Sequence, residues 1–181
     1  MLGELNMELI WIVTTVVLAF LILILVFWIV TGLLGAPWVP TEGETVNEML
    51  SMADVKSDEI VYDLGSGDGR IIITAATKFH ARSVGVELNP LWVFWTRLKI
   101  TTLGLRSKTK VIWGNFFRVD LSKADVITLY LLQNTNDKLE PKLKKELKPG
   151  SRVVSHVFTF KDWIPVKVDE KLQIYLYVVN S

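Results

Sequence analysis

The chain has 181 residues, half of them hydrophobic, and a formal net charge of +1 at neutral pH. This length accommodates one domain of ordinary size and a short appendage, and the small charge disfavours a duplex-binding protein, which usually carries a basic excess. The absence of cysteine excludes disulfides and thiolate chemistry. With only two histidines available as well, we expect no bound metal.

The N-terminal segment contains a long apolar run, which extends from Leu9 to Gly35 without a charged residue. As a helix it would be about 40 Å long, against about 30 Å for the hydrocarbon core of a bilayer. The run therefore predicts a tilted transmembrane helix, with residues 1–36 as a membrane anchor. A cleaved signal peptide is the alternative, but the run is long for one and only acidic charges precede it. Because the first basic residue after it is Lys56, the orientation has almost no signal of its own.

A linker is predicted at residues 37–45, where two prolines make the connection short and stiff. Residues 46–181 then form the predicted catalytic domain. Thr45 and Glu48 make a capping-box pattern, which predicts that the first helix of the domain begins at Val46.

A strand, a glycine-rich turn and a helix follow one another near the start of this domain. The β-branched and aromatic residues Ile60–Tyr62 are typical of a short buried strand, which we expect to end at Asp63. Gly65, Gly67 and Gly69 then stand at alternate positions before an apolar helical run. This unit is typical of the first crossover of a doubly wound α/β sheet, in which ligands bind at the carboxyl ends of the strands.

The chemistry of the turn favours a cationic ligand. A dinucleotide fingerprint has the spacing G-x-G-x-x-G, whereas here the spacing is G-x-G-x-G and Arg70 takes the place of the third glycine. Asp63 and Asp68 flank the glycines, and two acids are poor neighbours for a pyrophosphate. S-adenosylmethionine, with its sulfonium, ammonium and ribose, suits them better. A nicotinamide or flavin site, or a turn without a ligand, is the alternative.

Three residues further along extend the predicted cofactor site. Glu87 ends the predicted strand Ser83–Glu87, 22 residues beyond Gly65, where a carboxylate can accept hydrogen bonds from both ribose hydroxyls. Asn115 is predicted to bond the adenine edge and Phe116 to cover its face. A solvated acid at the end of a strand, a turn asparagine and a core aromatic are the respective alternatives.

The helix after the second strand is expected to carry Pro90 in its first turn. Trp92 and Trp95 on this helix are predicted to pack in the core rather than to form a cofactor pocket. A basic patch near its end is predicted to be a solvated face, with acidic lipid head groups as the alternative partner. This patch consists of Arg97, Lys99, Arg106, Lys108 and Lys110.

The rest of the chain continues the alternation of strands and helices. The predicted strands are residues 110–114, 125–132 and 151–157, with a closing hairpin at 166–168 and 172–179 and a helix at 134–147. Pro141 is expected to kink that helix or to lie in its first turn. Five alternating strand–helix units and a terminal hairpin predict the α/β, Rossmann-like seven-strand fold of S-adenosylmethionine methyltransferases, preceded by one transmembrane helix. The predicted cofactor-binding residues are Asp63, Gly65, Ser66, Gly67, Asp68, Gly69, Glu87, Asn115 and Phe116.

Residues 37–180 resemble the archaeal seven-strand protein-lysine methyltransferases. They are also similar to the eukaryotic relatives that act on the c subunit of ATP synthase and on the ADP/ATP translocase. The segments that carry the resemblance are Val39–Thr41 with Met49-Leu50, Val61–Ile71, Gly85–Asn89, Gly114–Phe117, Tyr130–Asn134, Leu139–Leu143 and Leu147–His156. Glu42 departs from the pattern, since the family usually has a second proline after Pro-Thr.

The resemblance implies methyl transfer from S-adenosylmethionine to the side-chain amine of protein lysines, without a metal. Tyr130 and Asn134 are the catalytic candidates, because this fold places the end of its fourth strand beside the transferred methyl; a core tyrosine is the alternative for Tyr130. Since S-adenosylmethionine is made in the cytoplasm, we expect the catalytic domain there, on a single-pass anchor in the lipid bilayer. The expected substrates are lysines of membrane-associated proteins.

Other acceptors stay open as alternatives. Methyltransferases that modify the amino groups of flipped bases usually carry an Asn/Asp-Pro-Pro-Tyr type of motif after the fourth strand, but Thr128–Leu132 contains no proline. We therefore expect no nucleic-acid partner. A small molecule or a lipid is a further alternative, and so is a scaffold that has lost its activity.

Overall fold

The computed structural model describes the backbone of residues 2–34 and 39–180 and the side chains of residues 6–26 and 39–180. The chain divides into two compact units, Met1–Trp38 and Val39–Ser181. The second is called the catalytic unit below. Residues 35–38, which include the first part of the predicted linker, lie outside the described residues.

The first unit consists of helix α1, Leu2–Leu34. Its stretch Asn6–Val26 has 21 residues and a mean hydropathy of 3.1, and no part of that stretch is buried in the structure. By length and composition, this helix is able to cross a membrane.

The catalytic unit is built on one mixed seven-stranded sheet. Its strands are β1 Ile60–Leu64, β2 Arg82–Glu87, β3 Thr109–Trp113, β4 Val126–Leu129, β5 Arg152–His156, β6 Lys167–Asp169 and β7 Ile174–Val178. Their order is β3-β2-β1-β4-β5-β7-β6. The first five strands are parallel, and β7 pairs antiparallel with β5 and with β6. The predicted seven-strand fold and its closing hairpin are therefore confirmed.

Four helices cover the two faces of the sheet: α2 Gly43–Met52, α3 Arg70–Lys78, α4 Pro90–Thr102 and α5 Gln133–Glu146. The helices α2, α3 and α4 contribute to two apolar clusters on one face. The helix α5 packs into the third cluster, with Leu139 and Leu143 against the other face. This division follows from right-handed crossovers, because the chain leaves β1 toward β2 and β3 and later reaches β4 and β5 in the opposite direction.

The start of α2 differs from the prediction. The helix begins at Gly43 and is preceded by Glu42, whose side chain makes no capping hydrogen bond. Thr45 lies inside the helix and is buried, so the predicted capping box is wrong. The reason is that Thr45 belongs to the inward face together with Val46 and Met49, and burying that face extends the helix by a turn.

Two further expectations are corrected. Pro141 lies well inside α5 rather than in its first turn. The connection from β3 to β4 contains a single 3₁₀ turn, Phe116–Arg118, where an alternating pattern required a longer helix.

The aromatic residues of α4 are not both in the core. Trp95 is 47% exposed and Trp92 is partly buried, so core packing is wrong for Trp95. The helix covers the edge of the sheet at β2 and β3. Only a narrow stripe of it, formed by Val93, Thr96 and Ile100, is buried.

Candidate active site

The candidate site lies at the carboxyl ends of the strands, where the order of the sheet reverses between β1 and β4. Residues 65–69, called the glycine loop here, connect β1 to α3. Gly65, Gly67 and Gly69 all have positive φ, at 82°, 51° and 80°, which side chains with a Cβ rarely adopt. The amides of Gly65 and Ser66 both donate to the carbonyl of Val86, over 2.8 and 3.1 Å, so the loop is joined directly to β2.

Close packing adds to the need for glycine in the loop. A Cβ on Gly69 would lie 2.4 Å from Cγ2 of Thr96. The hydroxyl of Thr96 donates to the carbonyl of Gly67 over 3.0 Å. Sequence reasoning missed Thr96, although a hydroxyl on the buried stripe of an apolar helix is a signal for such a bond, since buried polar groups need partners.

Ser66 is directed into the protein. A Cβ on Gly85 would lie 2.5 Å from the Oγ of Ser66, so only glycine in β2 leaves room for this side chain. That oxygen is buried and has no hydrogen-bond partner among the described residues. Its place against β2 leaves the backbone of Ser66, rather than its hydroxyl, to face the loop.

Glu87 stands at the end of β2 with its carboxylate held on both sides. The amide of Gly67 donates to Oε2 and the amide of Asn89 donates to Oε1, each over 2.8 Å. A carboxylate has about four acceptor positions, so the two bonds fix its plane and leave positions for a diol. The glycine loop and the predicted ribose-binding acid are therefore in direct contact.

Asp63, which was predicted to end the first strand, lies inside β1 and is 3% exposed. Burial raises the pKa of its carboxyl from 3.8 to about 7; a hydrogen bond from Thr128 opposes this rise, and the charges of Glu87 and Asp68 add to it. The Thr128 hydroxyl donates to Oδ1 over 2.9 Å. This arrangement holds an acid that is readily ionised by a neighbouring cation.

Asp68 is occupied by two cationic side chains. Nε of Arg70 lies 2.9 Å from Oδ1, and Nζ of Lys99 lies 3.1 Å from Oδ2. Burial alone would raise the pKa of Asp68, but the hydrogen bonds from Arg70 and Lys99 outweigh it and hold the pKa below its ordinary value. Arg70 also donates to the carbonyl of Thr41 over 2.6 Å. Asp68 thus stabilises the far side of the loop.

Asn115 and Phe116 follow β3, next to Glu87. The amide of Gly114 donates to the Glu87 carbonyl over 2.9 Å, which joins the two strand ends. Asn115 is exposed, and its side chain accepts from the amide of Phe117 over 2.9 Å. Phe116 is partly buried, with its ring 4.9 Å from that of Phe117. The structure therefore places both predicted adenine contacts at the same sheet edge as Glu87.

The ends of β4 and β5 bring three further side chains together, called the acceptor side here: Tyr130, Asn134 and His156. The ring centroids of Tyr130 and His156 are 4.4 Å apart. Nδ1 of His156 is buried without a partner among the described residues, and burial lowers the pKa of this imidazole, which favours the neutral form. Asn134 is exposed in the first turn of α5. Val157, immediately after β5, has a φ of 67°, a strained value for a β-branched residue and one that often accompanies function.

The residues present fit S-adenosylmethionine. The positive-φ glycines leave an open backbone, Glu87 offers acceptors for a diol, and the partly protonated Asp63 is suited to a nearby cation. Among the described residues, no cluster of three or more His, Asp or Glu side chains is placed to hold a metal ion.

Comparison with known proteins gives concordant results. The family model described as the ANTKMT methyltransferase domain matches residues 63–167. A protein-lysine N-methyltransferase of Saccharolobus islandicus (strain REY15A) is 48% identical over 152 residues, which cover 80% of this chain and 94% of that protein. The lysine N-methyltransferase of the ATP synthase c-ring protein from Xenopus laevis is 34% identical over 129 residues, 71% of this chain but 56% of that longer protein.

Among solved structures, the chain is similar to the crystal structure of an RNA methyltransferase from Salinibacter ruber in complex with S-adenosyl-L-homocysteine. The TM-score is 0.77 at 41% sequence identity, and the match covers 79% of this chain and 95% of that one. S-adenosylhomocysteine is what S-adenosylmethionine becomes when it has given up its methyl group. The chain is an S-adenosylmethionine-dependent methyltransferase that belongs to the ANTKMT methyltransferase domain family.

Proposed function

We propose that the chain is a membrane-anchored protein-lysine N-methyltransferase whose catalytic unit lies in the cytoplasm. The observation that carries the lysine acceptor is the 48% identity to an archaeal protein-lysine methyltransferase across almost the whole of that protein. The Xenopus relative, named for lysine methylation of an ATP synthase component, supports the same acceptor.

The cofactor residues are assigned from their surroundings. Glu87 accepts from both ribose hydroxyls, because its carboxylate plane is fixed by two backbone amides. Asp63 provides the negative charge that faces the cationic end of the ligand. Asn115 and Phe116 bond and cover the adenine. The glycine loop contributes backbone, while Asp68 acts indirectly through its ion pairs with Arg70 and Lys99.

The reaction itself makes two demands on the enzyme. When bound, S-adenosylmethionine supplies a methyl group on a sulfonium, which a neutral amine attacks in line with the leaving sulfur. The protein must align the amine, a proximity effect, and must present it without its proton. Deprotonating a lysine with a pKa near 10.4 costs about 4.6 kcal/mol at pH 7. A dry site beside a cation disfavours the ammonium, so no strong base is needed.

The acceptor side is suited to that task. Tyr130 orients the amine by hydrogen bonding or by cation–π contact, and Asn134 at the start of α5 offers a second polar group. His156, held against Tyr130 and favoured in its neutral form, adds no positive charge that would repel the incoming amine.

An RNA acceptor is the second candidate, because the Salinibacter structure bears the name of an RNA methyltransferase. The region after β4 argues against base methylation here. It reads Tyr130-Leu-Leu-Gln-Asn134 and lacks the prolines that follow the fourth strand in enzymes acting on base amino groups. The lysine acceptor is therefore favoured.

The anchor is inferred from α1, which has the length and hydropathy of a membrane span. The six residues from Gly35 to Pro40 reach at most about 20 Å, so the chain itself keeps the catalytic unit near the bilayer. Such tethering raises the effective concentration of enzyme around membrane proteins. Lysines of membrane-associated proteins near the cytoplasmic surface are the proposed targets.

The test is to incubate the full-length chain in lipid vesicles with methyl-labelled S-adenosylmethionine and, separately, with native membranes, soluble proteins and total RNA. Mass spectrometry then locates the label, with Glu87→Ala as the inactive control. We expect methylated lysines, chiefly in the membrane sample. Label on RNA alone would refute the lysine acceptor. Equal labelling of the same soluble proteins by the full chain and by residues 39–181 would refute selection by the anchor.

A further inference from the structure

The outer face of α4 carries a stripe of large apolar side chains that the fold leaves exposed. Leu91, Phe94, Trp95 and Leu98 are 62%, 69%, 47% and 44% exposed. Their spacing of three, four and seven residues places them on one side of the helix. Helices of water-soluble proteins normally present polar residues on this side, so the stripe requires an explanation.

The surroundings of the stripe are strongly basic. Residues 88–119 contain six cations and no acid, a net charge of +6. Since the whole chain carries +1, the remaining residues sum to −5. The cations are Arg97, Lys99, Arg106, Lys108, Lys110 and Arg118. Lys99 is engaged by Asp68, while the other five are exposed.

We propose that this face of α4 is a second membrane-contact surface, which rests in the headgroup region of an anionic bilayer. A helix with Trp, Phe and Leu on one side and Lys and Arg around it is typical of an interfacial helix. The apolar stripe enters the acyl boundary while the cations meet acidic head groups. The inference uses the membrane attachment of the proposed function, but not its lysine acceptor.

Charge separates a lipid surface from the other possible occupants. A second copy of the chain would bring the same +6 segment against this one, and like charges across an interface repel. RNA would satisfy the cations but would leave Leu91 and Leu98 in water. An anionic bilayer accommodates both features.

The contact has a consequence for the active site. Asn89, which caps α4, donates its backbone amide to Glu87. The start of α4 is thus bonded to the proposed ribose-binding acid. Resting α4 on the bilayer therefore holds the carboxyl edge of the sheet, with its cofactor site, close to the membrane surface.

The test takes advantage of the lack of native cysteine. The full-length variants Phe94→Cys, on the stripe, and Lys145→Cys, exposed on α5 at the opposite sheet face, each receive one environment-sensitive fluorophore. Both proteins are reconstituted in phosphatidylcholine vesicles with and without phosphatidylglycerol. Vesicle flotation reports the anchor, and quenching by lipids that carry nitroxides in the acyl chains reports the α4 contact. S-adenosylmethionine binding by each labelled protein confirms that it is folded.

We expect strong lipid quenching at position 94 in anionic vesicles, weaker quenching in neutral ones or at high salt, and little at position 145. Adding Lys108→Glu and Lys110→Glu to the Phe94→Cys protein should lower the ratio of lipid-bound to water-exposed label about fivefold per removed charge.

Three results would overturn the proposal. Flotation with a label at position 94 that stays open to aqueous iodide would refute the α4 contact and leave the anchor intact. A label shielded from both iodide and lipid would show that protein covers the stripe, and shielding only after addition of RNA would show a nucleic-acid surface. Loss of flotation together with an unquenched label would refute the anchor as well.

Discussion

The glycine loop and the acceptor side face each other across the same sheet edge but are held in different ways. At the loop, backbone amides donate to Val86 and Glu87, and Thr96 fixes the carbonyl of Gly67. On the acceptor side, Tyr130 and His156 touch through their rings, while Nδ1 of the histidine has no partner within residues 39–180.

This difference matches the ligands. The proposed cofactor is the same in every turnover, so a site with a fixed backbone loses little entropy when it binds. A protein substrate brings its own backbone and a flexible lysine, for which a lining of ring faces and single polar groups is more tolerant. The comparison teaches that changes in the loop should affect folding and cofactor affinity, whereas changes on the acceptor side should affect turnover.

The largest effect is expected from adding one carbon to the loop. Gly69→Ala places a Cβ 2.4 Å from Thr96 at a φ of 80°. The strained backbone and the overpacking together should lower the free energy of unfolding of the catalytic unit by about 3 to 4 kcal/mol. Pulse proteolysis in urea measures this quantity.

Gly104→Ala is the matched control. Gly104 has a similar φ of 69°, but a Cβ there would have no atom within 4 Å. Only the backbone strain remains, about 1 kcal/mol. Equal losses in the two variants would mean that the contact with Thr96 does not constrain the loop.

The second prediction concerns Glu87. Glu87→Ala removes the acceptor for two hydroxyls and for the amides of Gly67 and Asn89. Binding of S-adenosylmethionine should weaken by about 3 kcal/mol, as measured by calorimetry on the full-length chain. Glu87→Gln, which keeps the size and one acceptor oxygen, should lose less. Unchanged affinity in a folded Glu87→Ala protein would refute the ribose assignment.

Sequence reasoning reached this half of the site because its requirements are encoded locally. Alternate glycines report positive φ, and an acid at the end of the second strand reports a diol site. Thr96 escaped it, since the bond to Gly67 joins residues that only the α4 packing brings together. The exposure of Trp95 escaped it for a similar reason: a hydrophobic helix predicts burial, but α4 lies at the sheet edge and has too little surface beneath it.

The acceptor side was predictable only in part. Tyr130 and Asn134 followed from a resemblance that located the end of the fourth strand. The approach of His156 to Tyr130 depends on the pairing of β4 with β5, a contact between residues 26 positions apart. No local pattern encodes the 4.4 Å separation of the two rings.

The third prediction uses pH to probe the loop. Because the pKa of Asp63 is raised to about 7, the folded protein retains a proton between about pH 4 and pH 7 that the unfolded chain has lost. Stability from this group therefore falls as the pH rises through that range. Cofactor binding needs the ionised form, so affinity should rise by up to about tenfold per pH unit below pH 7.

Calorimetry in buffers of different ionisation enthalpy would count the proton released on binding. Asp63→Asn keeps the shape of the side chain and can still accept from Thr128, but it cannot ionise. This variant should bind weakly with no pH dependence over the same range. A pH slope that survives in Asp63→Asn would assign the titration to another group.

The smallest effect is expected from the hydroxyl of Tyr130. Tyr130→Phe keeps the ring against His156 and removes one hydrogen bond to the amine, worth about 1 kcal/mol. The rate constant kcat should therefore fall about fivefold, while the dissociation constant for S-adenosylmethionine should stay unchanged. Tyr175→Phe, a partly buried tyrosine on β7, is the control and should leave both unchanged. Tyr130→Leu also removes the ring face, and a larger loss of kcat there would add a cation–π contribution to the hydroxyl. If Tyr130→Phe instead weakened cofactor binding and left kcat intact, Tyr130 would belong to the cofactor site, and the two regions would not divide binding from turnover.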